Sequence, residues 1–321
     1  MKKIALVVLY FGKLPNYFDL WLWSCRHNPT VDFLLFTDDS TAHNYPPNVK
    51  VSYTSFEQTK ARIQSHFDFP LTLTSAYKLC DYKPAYGLVF QEELITYDFW
   101  GHCDIDLIWG DIRQFITEDI LQQYDRILPR GHFSLYRNNP DISRRFLTQD
   151  PELPSYREVF SDAKPFCFDE WPILSTLWKK RHWAMYVNDA IIADIKASKH
   201  QFIVNSDQHN TTRAQLFVWT VHDKNGKLYR YWIDNDQVAR NEFMYIHLQK
   251  RRMVTPPSLG FGPRSLFIIP NEFVIDAQQD ITIGLIKQYK RSKLIYRDYW
   301  TRKLKNLNVR IIKWIGGHHH T

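Results

Sequence analysis

"KIALVVLYFGKLP", residues 3–15, decides the fold because it admits two opposite readings. A basic start followed by apolar residues is how a secretory leader begins. Here the apolar run is short, no small-residue cleavage pattern follows, and Gly12 and Pro15 lead straight into amphipathic sequence. The stretch therefore reads as a strand. Being apolar at every position, rather than at alternate ones, it belongs in a parallel sheet covered on both faces.

Outward from that strand the pattern alternates. "NYFDLWLWSCRH" (16–27) has helical spacing, with Phe18, Leu22 and Cys25 on one side. "VDFLLFTDD" (31–39) is a second strand ending in polar residues, and "VKVSYTSF" (49–56) a weaker third. "AYGLVFQEEL" (85–94) reads as a helix and "DFWGHCDIDLIW" (98–109) as another strand. "GDIRQFI" (110–116) starts a short helix with Asp111 as its N-cap. The order predicts an α/β domain on a parallel-centred mixed sheet, with ligands beyond the carboxyl ends of its strands. Later, "DKNGKLYRYW" (223–232) predicts a hairpin turning through Asn225 and Gly226.

Charge is unevenly placed. Residues 284–315 carry ten Lys or Arg against Asp298, a net +9 that exceeds the +7 of the 321-residue chain. The remainder is slightly acidic, which counts against a nucleic-acid-binding protein even though the chain as a whole is basic. Leu285, Ile286, Tyr289, Tyr296, Trp300, Leu304 and Leu307 recur among those cations at near-helical spacing. The segment 266–321 is thus expected to be a basic helical tail. It either lies on an anionic membrane surface or folds back on a domain spanning 1–265. No apolar run approaches the roughly 18 residues that span a bilayer. Four scattered cysteines without a C-x-x-C pair argue against a disulfide framework and suit a cytoplasmic protein.

Asp104 and Asp106 stand in otherwise apolar sequence, and buried carboxylates are costly unless neutralised. In an extended chain they share a face, Cα atoms about 6.6 Å apart. Such a pair suits a hard divalent cation, or one carboxylate meets an Arg while the other caps a helix. "FCFDEW" (166–171) adds Asp169 and Glu170, candidates for a general base or for groups that position a substrate. Alternatively Asp169 caps the helix "EWPILSTLW" (170–178). For His247 the plain reading is a core histidine, and for Lys250, Arg251 and Arg252 a solvated basic face.

The blocks 4–39, 77–112, "FDEW" and "YIHLQKRRM" (245–253), taken in order, resemble an uncharacterised bacterial family encoded among capsule and surface-polysaccharide genes. It looks like a branch of the glycosyltransferases with the nucleotide-sugar-binding A-type, Rossmann-like fold, similar to the glycogenin and lipopolysaccharide galactosyltransferase group. The resemblance implies a hexosyltransferase using Mn2+ or Mg2+ and a UDP-sugar. Its acceptor would be a glycan or lipid-linked oligosaccharide, met at the cytoplasmic face of the membrane. Tyr10, Phe11, Thr37 and Asp38 would hold the nucleoside, Lys78 and Lys83 the phosphates, Asp104 and Asp106 the metal. His247 would complete the metal shell and Lys250 would meet the phosphate, although the family's glycine and tryptophan around that motif are absent. His132 and Arg137 in "RGHFSLYRNN" (130–139) resemble acceptor-pocket residues. The rival reading is a metal-dependent phosphodiesterase or nucleotidyltransferase, which usually has a denser acidic cluster.

Overall fold

The computed structural model describes residues 1–195, 202–204, 214–222, 225–249, 253–256, 265–275 and 280–289. In strand β1 (Ile4–Tyr10), side chains divide between two cores. Ile4, Leu6 and Val8 pack with Trp21 and Phe33, whereas Ala5 and Val7 pack with Tyr82, Tyr86 and Trp100. An uninterrupted apolar run follows, since each face of the strand meets a different apolar layer.

Strand β2 (Val31–Thr37) pairs parallel with β1, and β3 (Val49–Tyr53) parallel with β2. The crossover helix Phe18–Arg26 buries Phe18, Trp21, Leu22 and Cys25, each large apolar side chain contributing about 1.5–3 kcal/mol. Just beyond it, the Asn28 amide donates to the Ser24 and Gly110 carbonyls and accepts from the Ile112 N–H. That one side chain ties the helix end to the segment that follows Asp104 and Asp106.

On the other side of β1 lies β4 (Phe99–Cys103), again parallel. The expected continuous strand 98–109 breaks here, and β5 (Leu107–Trp109) joins a different sheet. The cause is visible in the backbone: the Asp104 N–H donates to the His132 carbonyl, whereas the Asp106 carbonyl accepts from the Leu248 N–H. The chain crosses between two sheets over these three residues. Antiparallel β6 (Arg126–Arg130) and β7 (Phe133–Arg137), with β8 (Met185–Tyr186), complete a seven-stranded sheet of order β3-β2-β1-β4-β7-β6-β8.

Further strands are β9 (Ile192–Ile195), β10 (Phe202–Val204), β11 (Gln215–His222), β12 (Asn225–Asp234), β13 (Gln237–Phe243), β14 (Tyr245–His247), β15 (Ser265–Ile269) and β16 (Glu272–Ile275). Among the described residues they form a four-stranded sheet, β10-β9-β14-β5, and a five-stranded one, β13-β12-β11-β15-β16. The chain is an α/β protein with a parallel-centred mixed sheet.

Several local expectations change. The helix expected at 85–94 is two short helices, Tyr86–Val89 and Gln91–Leu94, after a 3-10 run Ala76–Ala85 in which Pro84 can donate no N–H. The hairpin forms, but Asn225 and Gly226 lie within β12, opposite His222 and Val221. Gly226 is needed there for another reason: a Cβ would come within 2.9 Å of the Trp219 ring. Residues 265–275, at and beyond the expected boundary of 265, form two strands of the five-stranded sheet. The helix Ile283–Tyr289 folds back on that sheet, Ile286 packing on Leu216, Val218 and Phe267. The rest of the basic tail, from Lys290 on, lies outside the described residues. No helix among the described residues is long and apolar enough to cross a membrane.

Candidate active site

A cavity of about 1210 Å³ opens beyond the carboxyl ends of β1 and β4. From β1 the chain steps to β2 on one side while β4 lies on the other, and such a divergence leaves a crevice at the sheet edge. Tyr10 and Phe11 line it, as does the loop that follows. Gly12 takes φ +92°, a left-handed backbone disfavoured by any side chain, and donates its N–H to Asp38 Oδ1 at 2.7 Å. Leu14 donates likewise to Asp39. Hydrogen bonds from the Thr41 hydroxyl and from the Leu14 and Thr41 N–H groups lower the Asp39 carboxyl to about 2. This arrangement places Thr37 and Asp38, expected against a nucleoside, at the root of the loop after β1. Thr37 is fully buried, the Asp38 carboxylate holds the loop, and neither lines the cavity.

The cavity floor carries the acidic pair. One ligand atom each from Asp104, Asp106 and His247 lies within 4.8 Å of the others. The register explains how a residue 141 positions away arrives: antiparallel pairing of β14 with β5 sets His247 opposite Leu107, the neighbour of Asp106. His247 Nε2 stands 3.3 Å from Asp106 Oδ2 and its Nδ1 3.2 Å from Asp194 Oδ1. Burial alone would lower the imidazole pKa, but Asp106 and Asp194 outweigh it and raise it to about 10. The Lys83 ammonium is the second counter-charge, 2.7 Å from Asp104 Oδ1 and 3.7 Å from Asp169 Oδ2. Burial opposes its charge, yet these carboxylates keep its pKa above the ordinary lysine value.

Asp169 is 2% exposed and lines the cavity. Its backbone carbonyl accepts from the buried Arg126 guanidinium at 2.6 Å, while its Oδ2 has no hydrogen-bond partner. Burial raises its carboxyl to about 7; Lys83 pulls it down and Glu170 and Asp104 push it up. It does not cap the helix Ile173–Lys180, which lacks a side-chain cap. Glu170 accepts the Gly131 N–H at 3.0 Å. The turn Gly131–His132 is a hub, because the Gly131 carbonyl also takes Lys83 and the His132 ring lies 4.3 Å from that of His247. Burial, then His247 and Lys83, hold the His132 imidazole well below its usual value.

Two expectations move away from the cavity. Lys78 is 1% exposed, and its three donors are spent on Asp81, the Val159 carbonyl and the Lys164 carbonyl. Arg137 sits at the far end of β7 from His132, about 16 Å along an extended strand, and pairs with Asp125. Lys250, Arg251 and Arg252 lie outside the described residues. Conversely, the cavity wall includes Lys13, Asn16, Tyr17, Arg130, Asp194 and Gln249, none of them singled out from the sequence. Lys13 and Asn16 sit in the readable segment after β1, so proximity to a strand end could have flagged them. Asp194 carried no such signal.

A family model, that of the family of unknown function DUF6625, matches residues 6–277. No curated protein matches the sequence. Solved structures resemble it, among them the following three. Mouse xyloside xylosyltransferase 1, apo form, is 8% identical with a TM-score of 0.37, over 61% of this chain and 88% of that one. The apo glycosyltransferase GlyE of Streptococcus pneumoniae TIGR4 is 11% identical with a TM-score of 0.30, over 59% and 46%. The galactosyltransferase LgtC, in complex with donor and acceptor sugar analogues, is 10% identical with a TM-score of 0.34, over 59% and 75%.

Proposed function

We propose that this chain, which belongs to the DUF6625 family of unknown function, is a metal-dependent glycosyltransferase moving a sugar from a nucleoside-diphosphate donor to a glycan acceptor. The observation that carries the reading is the Asp104–Asp106–His247 group on the floor of a cavity about 1210 Å³ in volume.

The donor set fits a hard cation. Two carboxylates and one imidazole suit Mn2+ or Mg2+, whose octahedral shell near 2.1 Å places ligands about 3–4.2 Å apart. The three ligand atoms, within 4.8 Å of one another, are close enough to converge on one such ion. When bound, such a cation supplies positive charge to the departing diphosphate.

The chain's own residues do the rest. Tyr10 and Phe11 offer aromatic surface at the β1 end, and Lys13 and Arg130 bring cations to the same cavity. Asp169, with a carboxyl raised to about 7 and an Oδ2 that makes no hydrogen bond, takes the acceptor hydroxyl's proton or orients that hydroxyl. Glu170, fixed by the Gly131 N–H, borders the same wall. A UDP-sugar as donor and a capsular or lipid-linked acceptor rest on the sequence resemblance, a cytoplasmic setting on the scattered cysteines and a membrane-peripheral one on the basic tail.

Incubation with a panel of nucleotide sugars and Mn2+ should release nucleoside diphosphate from at least one, and EDTA should stop it. If no sugar is turned over while phosphodiesters are cleaved, the hydrolytic reading replaces this one.

A further inference from the structure

We infer that Asp194, held in place by Gln249, is a positioning residue that turns His247 so that its Nε2, and not its Nδ1, faces a cation shared with Asp104 and Asp106. The inference rests on the metal-dependent reading above and adds a residue to it.

The backbone brings the pair together. Strand β14 lies between β5 and β9, parallel to β9, with His247 opposite Asp194. Opposed residues of neighbouring strands project on the same face, so the carboxylate meets the ring edge. The two ring nitrogens are thereby separated in role: Nε2 is 3.3 Å from Asp106, and Nδ1 is 3.2 Å from Asp194. An imidazole that offers one nitrogen to a cation needs the other turned toward an acceptor, which fixes both ring orientation and tautomer.

Asp194 is itself restrained. The Gln249 amide donates to both of its carboxylate oxygens, at 2.8 and 2.9 Å. Gln249 reaches them from a left-handed backbone, φ +57°, two residues past His247. The His132 ring covers the imidazole, and its own Nδ1 bonds the Tyr245 hydroxyl at 2.9 Å. Asp194 stands outside the group of three ligand atoms and reaches it through His247.

The test titrates the folded full-length protein with Mn2+ alone, by calorimetry. Asp194→Ala should bind about 10–100-fold more weakly, Gln249→Ala should lose less, and Asp194→Asn, whose amide oxygen can accept from Nδ1–H, should recover most of the affinity. Melting curves establish that each variant is folded. The decisive comparison is His247→Ala with and without Asp194→Ala. If Asp194 acts through His247, the second change adds nothing; if the losses add, Asp194 is a ligand in its own right and the inference is overturned. Unchanged affinity in Asp194→Ala overturns it as well. Wild-type protein that binds no Mn2+ would instead remove the metal-dependent reading, and this inference with it.

Discussion

Lys78 and Lys83 lie five residues apart on the same 3-10 run, both buried and both salt-bridged to aspartate, yet they serve different ends. Lys78 faces inward, where Asp81 is fully buried and also accepts the N–H groups of Phe166 and Phe168. The pair fastens the segment that delivers Asp169 to the cavity. Lys83 faces the other way, onto Asp104, whose carboxylate remains 27% exposed at the cavity floor. A cation enclosed by protein on all sides is structure. One whose partner borders a cavity can exchange that partner for a ligand.

The largest expected effect tests the enclosed member. Lys78→Met leaves Asp81 buried without its counter-charge and should cost about 3–5 kcal/mol in urea unfolding. A loss under about 1 kcal/mol would show that the pair is not a fastening. Next comes the acidic pair: Asp106→Ala should weaken Mn2+ binding by at least about 100-fold while the protein still melts cooperatively. Unaltered calorimetric affinity would falsify the metal site.

Lys83→Met should be milder and opposite in sign for the metal. It removes a competitor for Asp104, so Mn2+ affinity should rise by up to about tenfold, with a stability loss smaller than that of Lys78→Met. Weaker Mn2+ binding in that variant would mean Lys83 supports the site rather than competing for it.

The smallest effect is a pH trend. His247 is held near 10 against an unfolded value of 6.5, so its pairing with Asp106 and Asp194 stabilises the fold fully below about 6.5 and is lost as pH rises through about 10. His247→Ala should flatten that stretch of the stability curve. Because a cation must displace the Nε2 proton, Mn2+ affinity should also rise from about pH 6 to about pH 8. A flat profile would place the ligating nitrogen elsewhere.

Much of the architecture was legible because it follows from local pattern. β1 and β2 are marked by short apolar runs bounded by polar or turn residues, the helix between them by its spacing and β3 more weakly, and their order points to parallel pairing through a crossover. Asp111 could be read as an N-cap from its place before an apolar turn, and its carboxylate accepts the Gln114 N–H. The site was legible in residue types but not in arrangement. Nothing in "HCDIDL" marks the bend that parts β4 from β5, because that bend is set by carbonyls and amides at 132 and 248.

What the sequence by itself determined was the class of fold and the inventory of charged groups able to meet a cation, since both depend on neighbours within a few residues. What only the tertiary structure decided was which of those groups share a space. Asp194 reaches His247 through a parallel register, His247 reaches Asp106 through an antiparallel one, and Lys78 and Lys83 part company by meeting different aspartates from one 3-10 run. The physical reason is that electrostatic and coordination energies fall off over a few ångströms, while the residues they join lie up to 143 positions apart along the chain.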